Sequence, residues 1–252
     1  MGLSLATAER WVERWERQQQ RYAVDREERF TVIADVVEHG VAGRPARPLV
    51  IDLGCGPGSL AARLAQRLPN ADIVAVDRDP LLLELARTHH ADAARYVDAE
   101  IGAAGWTAAL GLDRPLDAAV STTALHYLGP EELRRTYREL AALLRPGGVL
   151  VNGDHFPQGA PALAEVAEYV GLRRAQRQRA HVHEDWSAWW TAVGEDPELT
   201  DLLAERARRP AGLVSSAPVP LDTHLRLLRE AGFGQVGVVW QYGDSHVVVA
   251  FR

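Results

Sequence analysis

Leu49-Val50-Ile51-Asp52-Leu53-Gly54-Cys55-Gly56-Pro57-Gly58-Ser59-Leu60 decides the fold, because a short apolar run with β-branched Val50 and Ile51 follows Pro48 and breaks into alternating glycines. A helical pattern then resumes near Gly58. The stretch reads as a buried strand, a tight turn and a helix start. Glycines in such a turn permit positive φ and carry no Cβ, so a ligand can lie against the backbone. Phosphate is not the ligand this turn suits. Counted from Gly54, a G-x-G-x-x-G fingerprint needs glycine at 59, where Ser59 stands, and Pro57 has no N–H to donate. The chain contains no lysine, which removes the Walker pattern as well.

Outward from the turn, Leu60, Leu64, Ala65 and Leu68 form the apolar stripe of a helix ended by Pro69-Asn70, and Ile73-Val74-Ala75-Val76-Asp77 is the next buried strand. The unit is βαβ. Asp77 closes that strand 19 residues past Gly58, placed to accept hydrogen bonds from both ribose hydroxyls of a nucleoside. Asp79, before Pro80, reads as a helix cap. A third strand spans Ala94 to Ile101 with acids at its end, and a fourth spans Leu116 to Ser121. After a helix from Pro130, Arg145-Pro146-Gly147-Gly148 turns into a fifth strand ending at Asp154 and His155, with both glycines expected in left-handed geometry. Near the end, Ala231-Gly232-Phe233 precedes paired strands, Val236 to Tyr242 and His246 to Phe251, around Gly243-Asp244.

The D-x-G-x-G-x-G turn, the acid at Asp77 and the L-R-P-G-G-x-L run make residues 49 to 155 resemble the class I S-adenosylmethionine-dependent methyltransferases, and the terminal hairpin carries a weaker likeness. The resemblance implies an α/β fold: a Rossmann-like three-layer sandwich around a seven-stranded, mostly parallel sheet with one antiparallel strand. A helical N-terminal lid and a helical insert before the C-terminal hairpin complete it. It implies S-adenosyl-L-methionine as cofactor and S-adenosyl-L-homocysteine as product. Carried over by position, cofactor contacts fall on Asp52, Gly54, Cys55, Gly56 and Gly58, then on Asp77 with its neighbour Arg78. Asp98 or Glu100 meets the adenine, with Asp98 preferred and Ala99 supplying backbone, while Ser121 and Thr122 lie near the methionine part. From the lid, Tyr22 or Arg29 touches the cofactor, unless the lid aromatics serve only packing.

At 252 residues and 47% apolar content the chain suits one compact domain, read as a lid (1–45), a cofactor-binding core (46–156), an acceptor-side insert (157–215) and a C-terminal helix and hairpin (216–252). Helical spacing gives two segments in the lid, with Asp25 capping the second. A formal charge of -6 offers no global basic field for nucleic acid or an anionic membrane. With no long apolar run or leader pattern, a cytoplasmic location is expected. The single Cys55 forbids an internal disulfide and fits the turn by being small rather than reactive. No metal site is expected, since His181 and His183 lack a third ligand.

In the insert, Leu163, Val166, Ala167 and Val170 suggest a helix, and Arg173, Arg174, Arg177 and Arg179 read as a solvated face paired with acids rather than an RNA surface. Trp186, Trp189 and Trp190 fill core, or form an aromatic wall beside the acceptor. The insert as a whole is expected to roof the acceptor pocket.

The expected activity is methyl transfer to an O, N or C atom of a small-molecule acceptor, in a setting such as bacterial specialised metabolism. An acceptor that must lose a proton needs a base: His155 at the end of the fifth strand is the first candidate, with Asp154 orienting it or binding a cationic acceptor. His126 is the second candidate and also reads as a structural residue. The same fold and cofactor used for a cyclase, isomerase or decarboxylase reaction, RNA methylation, and a non-catalytic binding role stand as alternatives. A homodimer is compatible with the sequence.

Overall fold

The computed structural model describes residues 2–43, 47–215 and 217–252. The expected boundaries at 45/46 and 215/216 therefore fall on residues outside those described. Helices α1 (Leu5–Gln19) and α2 (Arg26–Val41) precede the sheet. Its strands are β1 (Leu49–Leu53), β2 (Asp72–Asp77), β3 (Arg95–Asp98), β4 (Leu116–Thr122), β5 (Leu144–His155), β6 (Gln235–Tyr242) and β7 (Ser245–Phe251). They lie in the order β3-β2-β1-β4-β5-β7-β6. Strands β1 to β5 pair in parallel, and β7 runs antiparallel to both of its neighbours. The seven-stranded sheet with one antiparallel strand is thus as expected. Strand order reverses between β1 and β4, and ligands of open α/β sheets bind beyond the carboxyl ends at such a point.

Helices α3 (Ser59–Arg67), α4 (Pro80–His89), α5 (Trp106–Ala109) and α6 (Pro130–Leu143) fill the crossovers as far as β5. Between β5 and β6 come α7 (Pro161–Arg177), α8 (Trp186–Gly194), α9 (Thr200–Arg208) and α10 (Leu221–Glu230). One face of the sheet packs Val50, Val120 and Val151 against Phe30, Ile33, Val37, Leu60 and Leu64 of α2 and α3. The opposite face packs Ile51, Ala119 and Leu150 against Leu133, Leu140 and Leu227 of α6 and α10. A third cluster joins α1, α4 and α8 through Trp11, Trp15, Leu81, Leu85 and Trp189. Trp189 is its centre, with its ring edge-on to Trp11, Trp15 and Trp190 at centroid distances of 5.6, 5.1 and 4.9 Å. Among the described residues, no helix is long and apolar enough to cross a membrane.

Several local expectations change. Asp79 caps α4, accepting from the Leu81 and Leu82 N–H groups at 3.0 and 3.2 Å. Asp25 sits at the α2 N-cap but makes no capping bond, because its carboxylate is drawn to Arg174 on α7. At the α6–β5 turn only Gly147 is left-handed, with φ of 73°. Gly148 is needed for space, since a Cβ there would lie 2.9 Å from the Arg145 carbonyl. On α7 the expected stripe exists but faces solvent. The helix rests on its small side, Ala164, Ala167 and Gly171, leaving Leu163, Val166 and Val170 outside.

The packing around Trp189 predicts that Trp189→Ala costs about 3–5 kcal/mol, the usual cost of truncating a buried large aromatic, by loosening α1 from α4. Urea unfolding checks it: a loss under about 1 kcal/mol would show that this cluster is not a supporting core.

Candidate functional site

The glycine turn spends its own donors. Gly54 and Cys55 N–H both reach the Val76 carbonyl, at 2.8 and 2.9 Å, and Gly58 N–H reaches the Cys55 carbonyl at 3.0 Å. Gly56 N–H donates to Asp77 Oδ2 at 2.8 Å. Backbone already satisfied in this way cannot cradle a phosphate. Nor do all three glycines make room for a ligand, as the sequence suggested. A Cβ on Gly54 would overlap that of Ala124, and one on Gly58 would lie 2.9 Å from the Tyr96 hydroxyl. Gly56, left-handed at φ of 52°, lies across from Trp15.

Beyond the turn, a cavity of about 700 Å³ opens at the carboxyl ends of β1, β2 and β4. On its wall lie Asp52, Gly54, Cys55, Gly56, Asp77 and Arg78. Asp52 is fully buried, and among the described residues neither carboxylate oxygen has a partner at hydrogen-bond geometry, with only the Ala61 backbone N–H acting weakly on it. Burial first, and the Asp77 charge second, push its pKa up to about 7. Asp77 Oδ1 accepts from Arg78 and Asp79 N–H at 2.7 and 3.0 Å. With Gly56 on Oδ2, about one of the carboxylate's roughly four acceptor sites remains open. Burial raises the Asp77 pKa against these backbone bonds. Burial likewise lifts the Cys55 thiol well above its usual range, so it is no thiolate at neutral pH. Two carboxylates at one cavity, Asp52 fully buried and Asp77 partly so, suit a ligand that carries positive charge.

The histidines pair differently from the expected arrangement. Asp154, buried in β5, binds His126 Nδ1 through both oxygens at 2.9 and 3.1 Å, and its Oδ1 also accepts the His155 backbone N–H at 2.8 Å. Asp154 therefore orients His126 and not His155. The His155 side chain turns to Asp244 on the terminal hairpin, Nδ1 to Oδ1 3.2 Å, which leaves a buried Nε2 without a partner. Alternation along β5 explains this, since residues 154 and 155 project to opposite faces. Burial pulls the His126 pKa down, but the Asp154 hydrogen bond and charge outweigh it and hold it above the usual value. The Asp154 pKa, raised by burial, is brought below its ordinary value by His126 and then Arg29. His126 belongs to a single 3-10 turn, Leu125–Tyr127, entered through Thr123 at φ of 48°. A β-branched residue there is strained, and the Thr123 N–H to Gly153 carbonyl bond of 3.0 Å helps to hold it.

Thr122, Tyr22, Ala99, His126 and His155 also line the cavity. Four expected residues, Gly58, Asp98, Ser121 and Asp154, do not line it. Gly58 is the left-handed N-cap of α3, and Ser121 Oγ donates to the Leu53 carbonyl at 2.9 Å, tying β4 to β1. Asp154 sits beneath His126. Asp98 is claimed by both terminal nitrogens of Arg209 at 2.8 and 2.6 Å, whereas Glu100 reaches the cavity wall. From α2, Arg26 reaches the cavity, while Arg29 is buried behind β5, bonded to Ser245 at 3.3 Å, with burial bringing its pKa to about 10.

The cover was only partly foreseen. Trp15, Trp186 and Trp190 line the cavity, while Trp189 is core. Tyr22 Oη accepts the Trp186 N–H at 2.9 Å, closing lid on insert. Leu213, held by its N–H to Glu100 at 2.7 Å, completes the wall. No residue of α7 takes part, so the roof comes from α8, α9 and the segment after it. Two of the arginines after Leu172 serve as struts, Arg174 on Asp25 and Glu28 and Arg177 on the Tyr242 hydroxyl, whereas Arg173, among the described residues, bonds only Gln176 of its own helix.

Residues 50–148 match a family model described as a methyltransferase domain. An uncharacterized methyltransferase of Mycobacterium tuberculosis is 43% identical over 102 residues, 40% of this chain and 47% of that protein. The chain thus spans about half the length of that curated relative. Carboxy-S-adenosyl-L-methionine synthase of Chromohalobacter salexigens is 29% identical over 214 residues, 81% of this chain and 68% of that one. Among solved structures, magnesium protoporphyrin IX methyltransferase from Synechocystis superposes with a TM-score of 0.54 at 17% identity, covering 96% of this chain and 94% of that one, a likeness of fold.

The Asp52 environment predicts a pH-dependent stability. The native carboxyl keeps its proton up to about pH 7, whereas the unfolded one loses it near pH 4. Stability of the ligand-free protein should therefore fall as pH rises from about 4 to 7 through this group. Removing the charge with Asp52→Asn should stabilise the protein at pH 8, by up to about 4 kcal/mol at roughly 1.4 kcal/mol per unit, with the difference vanishing near pH 4. Equal unfolding free energies at pH 8 would contradict it.

Proposed function

We propose that this chain, whose residues 50–148 form a class I S-adenosylmethionine-dependent methyltransferase domain, transfers a methyl group to a small molecule held beneath the α1–α8 cover. The carrying observation is that His126, held from beneath by the buried Asp154, lines the same cavity as the buried Asp52. S-adenosylmethionine supplies there a methyl group already activated on a positively charged sulfonium. Asp77 offers its remaining acceptor site to a ribose hydroxyl, and Asp52 offers buried negative charge to a cationic ligand. Gly56 and Cys55 line the turn beside them. At the adenine end Ala99 and Glu100 take the place first given to Asp98, because Arg209 occupies that carboxylate. Tyr22, Arg78 and Thr122 complete the contacts.

His126 takes the acceptor's proton through Nε2 while Asp154 holds Nδ1–H and stabilises the imidazolium that forms. A base poised in this way favours an acceptor whose nucleophile ionises, a hydroxyl above all. His155, turned to Asp244, lines the acceptor's side of the cavity. Trp15, Trp186 and Trp190 exclude water and leave an enclosed, partly aromatic space suited to a small molecule rather than a polymer. A second reading keeps the cofactor and changes the reaction. It is favoured by the likeness to a carboxy-S-adenosylmethionine synthase over 81% of the chain.

Release of S-adenosylhomocysteine, followed with a panel of small hydroxyl, amine and carboxylate acceptors, tests the proposal. Turnover of the cofactor without that product would favour the second reading. His126→Ala should lower kcat by about 10²–10³-fold, the usual share of a general base, with cofactor affinity kept. Because the base works only when neutral, kcat/KM should fall as pH drops through the raised His126 value. Asp154→Asn should move that acid limb to lower pH. An unmoved limb would remove the pair from the reaction.

A further inference from the structure

Helix α7 is the feature that the site leaves unexplained. It is 17 residues long, about 25 Å at 1.5 Å per residue, and none of its residues is buried. Leu163, Val166, Tyr169 and Leu172 are 61, 59, 62 and 54% exposed, and Val170 36%. The exposure is built in rather than loose. The opposite, small-residue side fits so closely that a Cβ on Gly243 would lie 2.8 Å from the Ala167 carbonyl and 3.0 Å from the Gly171 N. Arg174 and Arg177 pin the C-terminal end to α2 and β6. On the adjacent edge strand, Val238 and Val239 are exposed as well. A rigidly mounted apolar face of this size marks an interaction surface.

The sequence of the helix says what covers it. Counting from Tyr169, Glu165 stands four residues before and Arg173 four after, while Val166 stands three before and Leu172 three after. At 3.6 residues per turn, all four share the exposed side with Tyr169. A twofold axis beside Tyr169 that pairs two α7 helices antiparallel sets Val166 level with Leu172 of the second copy. The same axis sets Glu165 level with Arg173 of the second copy, twice by symmetry. Each acid then lies within reach of a base beside the Tyr169 pair, the self-complementarity that an isologous contact requires. We propose that the exposed face of α7 is a homodimer contact, formed by antiparallel pairing with a second copy of this chain about Tyr169.

The contact braces the site from behind. Gly243 lies between α7 and Asp244, the partner of His155, so covering α7 also steadies the hairpin that aims that histidine.

Sedimentation equilibrium tests the contact. Wild type should be a monomer–dimer system with a dissociation constant on the order of 1–10 µM, the range for a small interface. Tyr169→Lys should be monomeric with unchanged circular dichroism. Glu165→Arg alone and Arg173→Glu alone should each weaken the dimer at least about tenfold by setting like charges opposite. Mixing the two single variants should restore it, because each then meets its opposite charge. A wild-type monomer, a dimer that survives Tyr169→Lys, or single variants that do not recover on mixing would each overturn the proposal.

Discussion

The Val76 carbonyl and the Asp77 carboxylate hold the glycine turn of β1 against the end of β2, and the rest of the site depends on that seam. It takes the N–H groups of Gly54, Cys55 and Gly56, which removes the turn from phosphate chemistry. It also leaves Asp52 beneath the turn with no side-chain partner among the described residues and Asp77 with little spare capacity. The result is an acidic floor whose carboxyls resist ionisation. Such a floor costs the empty protein stability and gives it back when a cation binds, a trade between folding and function of the kind expected at active sites.

Above the floor the cover is tied down by polar pairs to residues far away in sequence. Trp11 Nε1 donates to Asp196 at 2.7 Å, Arg206 pairs with Asp79 at 2.6 Å, and Arg209 holds Asp98. Lid and insert are therefore one layer, joined by the tryptophan cluster and anchored to the ends of β2 and β3. One of the carboxylates it uses, Asp98, is the one the sequence assigned to the adenine. Where Arg209 takes Asp98, the cavity wall passes to Glu100.

What was legible in the sequence follows from how local each interaction is. Buried parallel strands write themselves as apolar runs, and the Asp79 cap with Pro80 is decided within a few residues, so the βαβ units could be read, while the seven-stranded sheet with its antiparallel strand followed from the family resemblance. The histidine pairing could not. It depends on a strained Thr123 that turns His126 over a carboxylate 28 residues away. The reason for Gly54 was hidden for the same reason, since Ala124 fills its space from another loop. On α7 the apolar stripe was correctly seen as helical. Its direction was not, because small residues made the closer fit to the hairpin and took the inside.

The central claim is that the buried acidic floor receives S-adenosylmethionine. Calorimetric titration of wild type and Asp77→Asn tests it most directly, at pH 8 where Asp52 is ionised. The account predicts one site per chain and an affinity at least about tenfold weaker in the variant, the loss expected for a charged acceptor. No binding at cofactor concentrations on the order of 1 mM, or equal affinities for the two proteins, would contradict it.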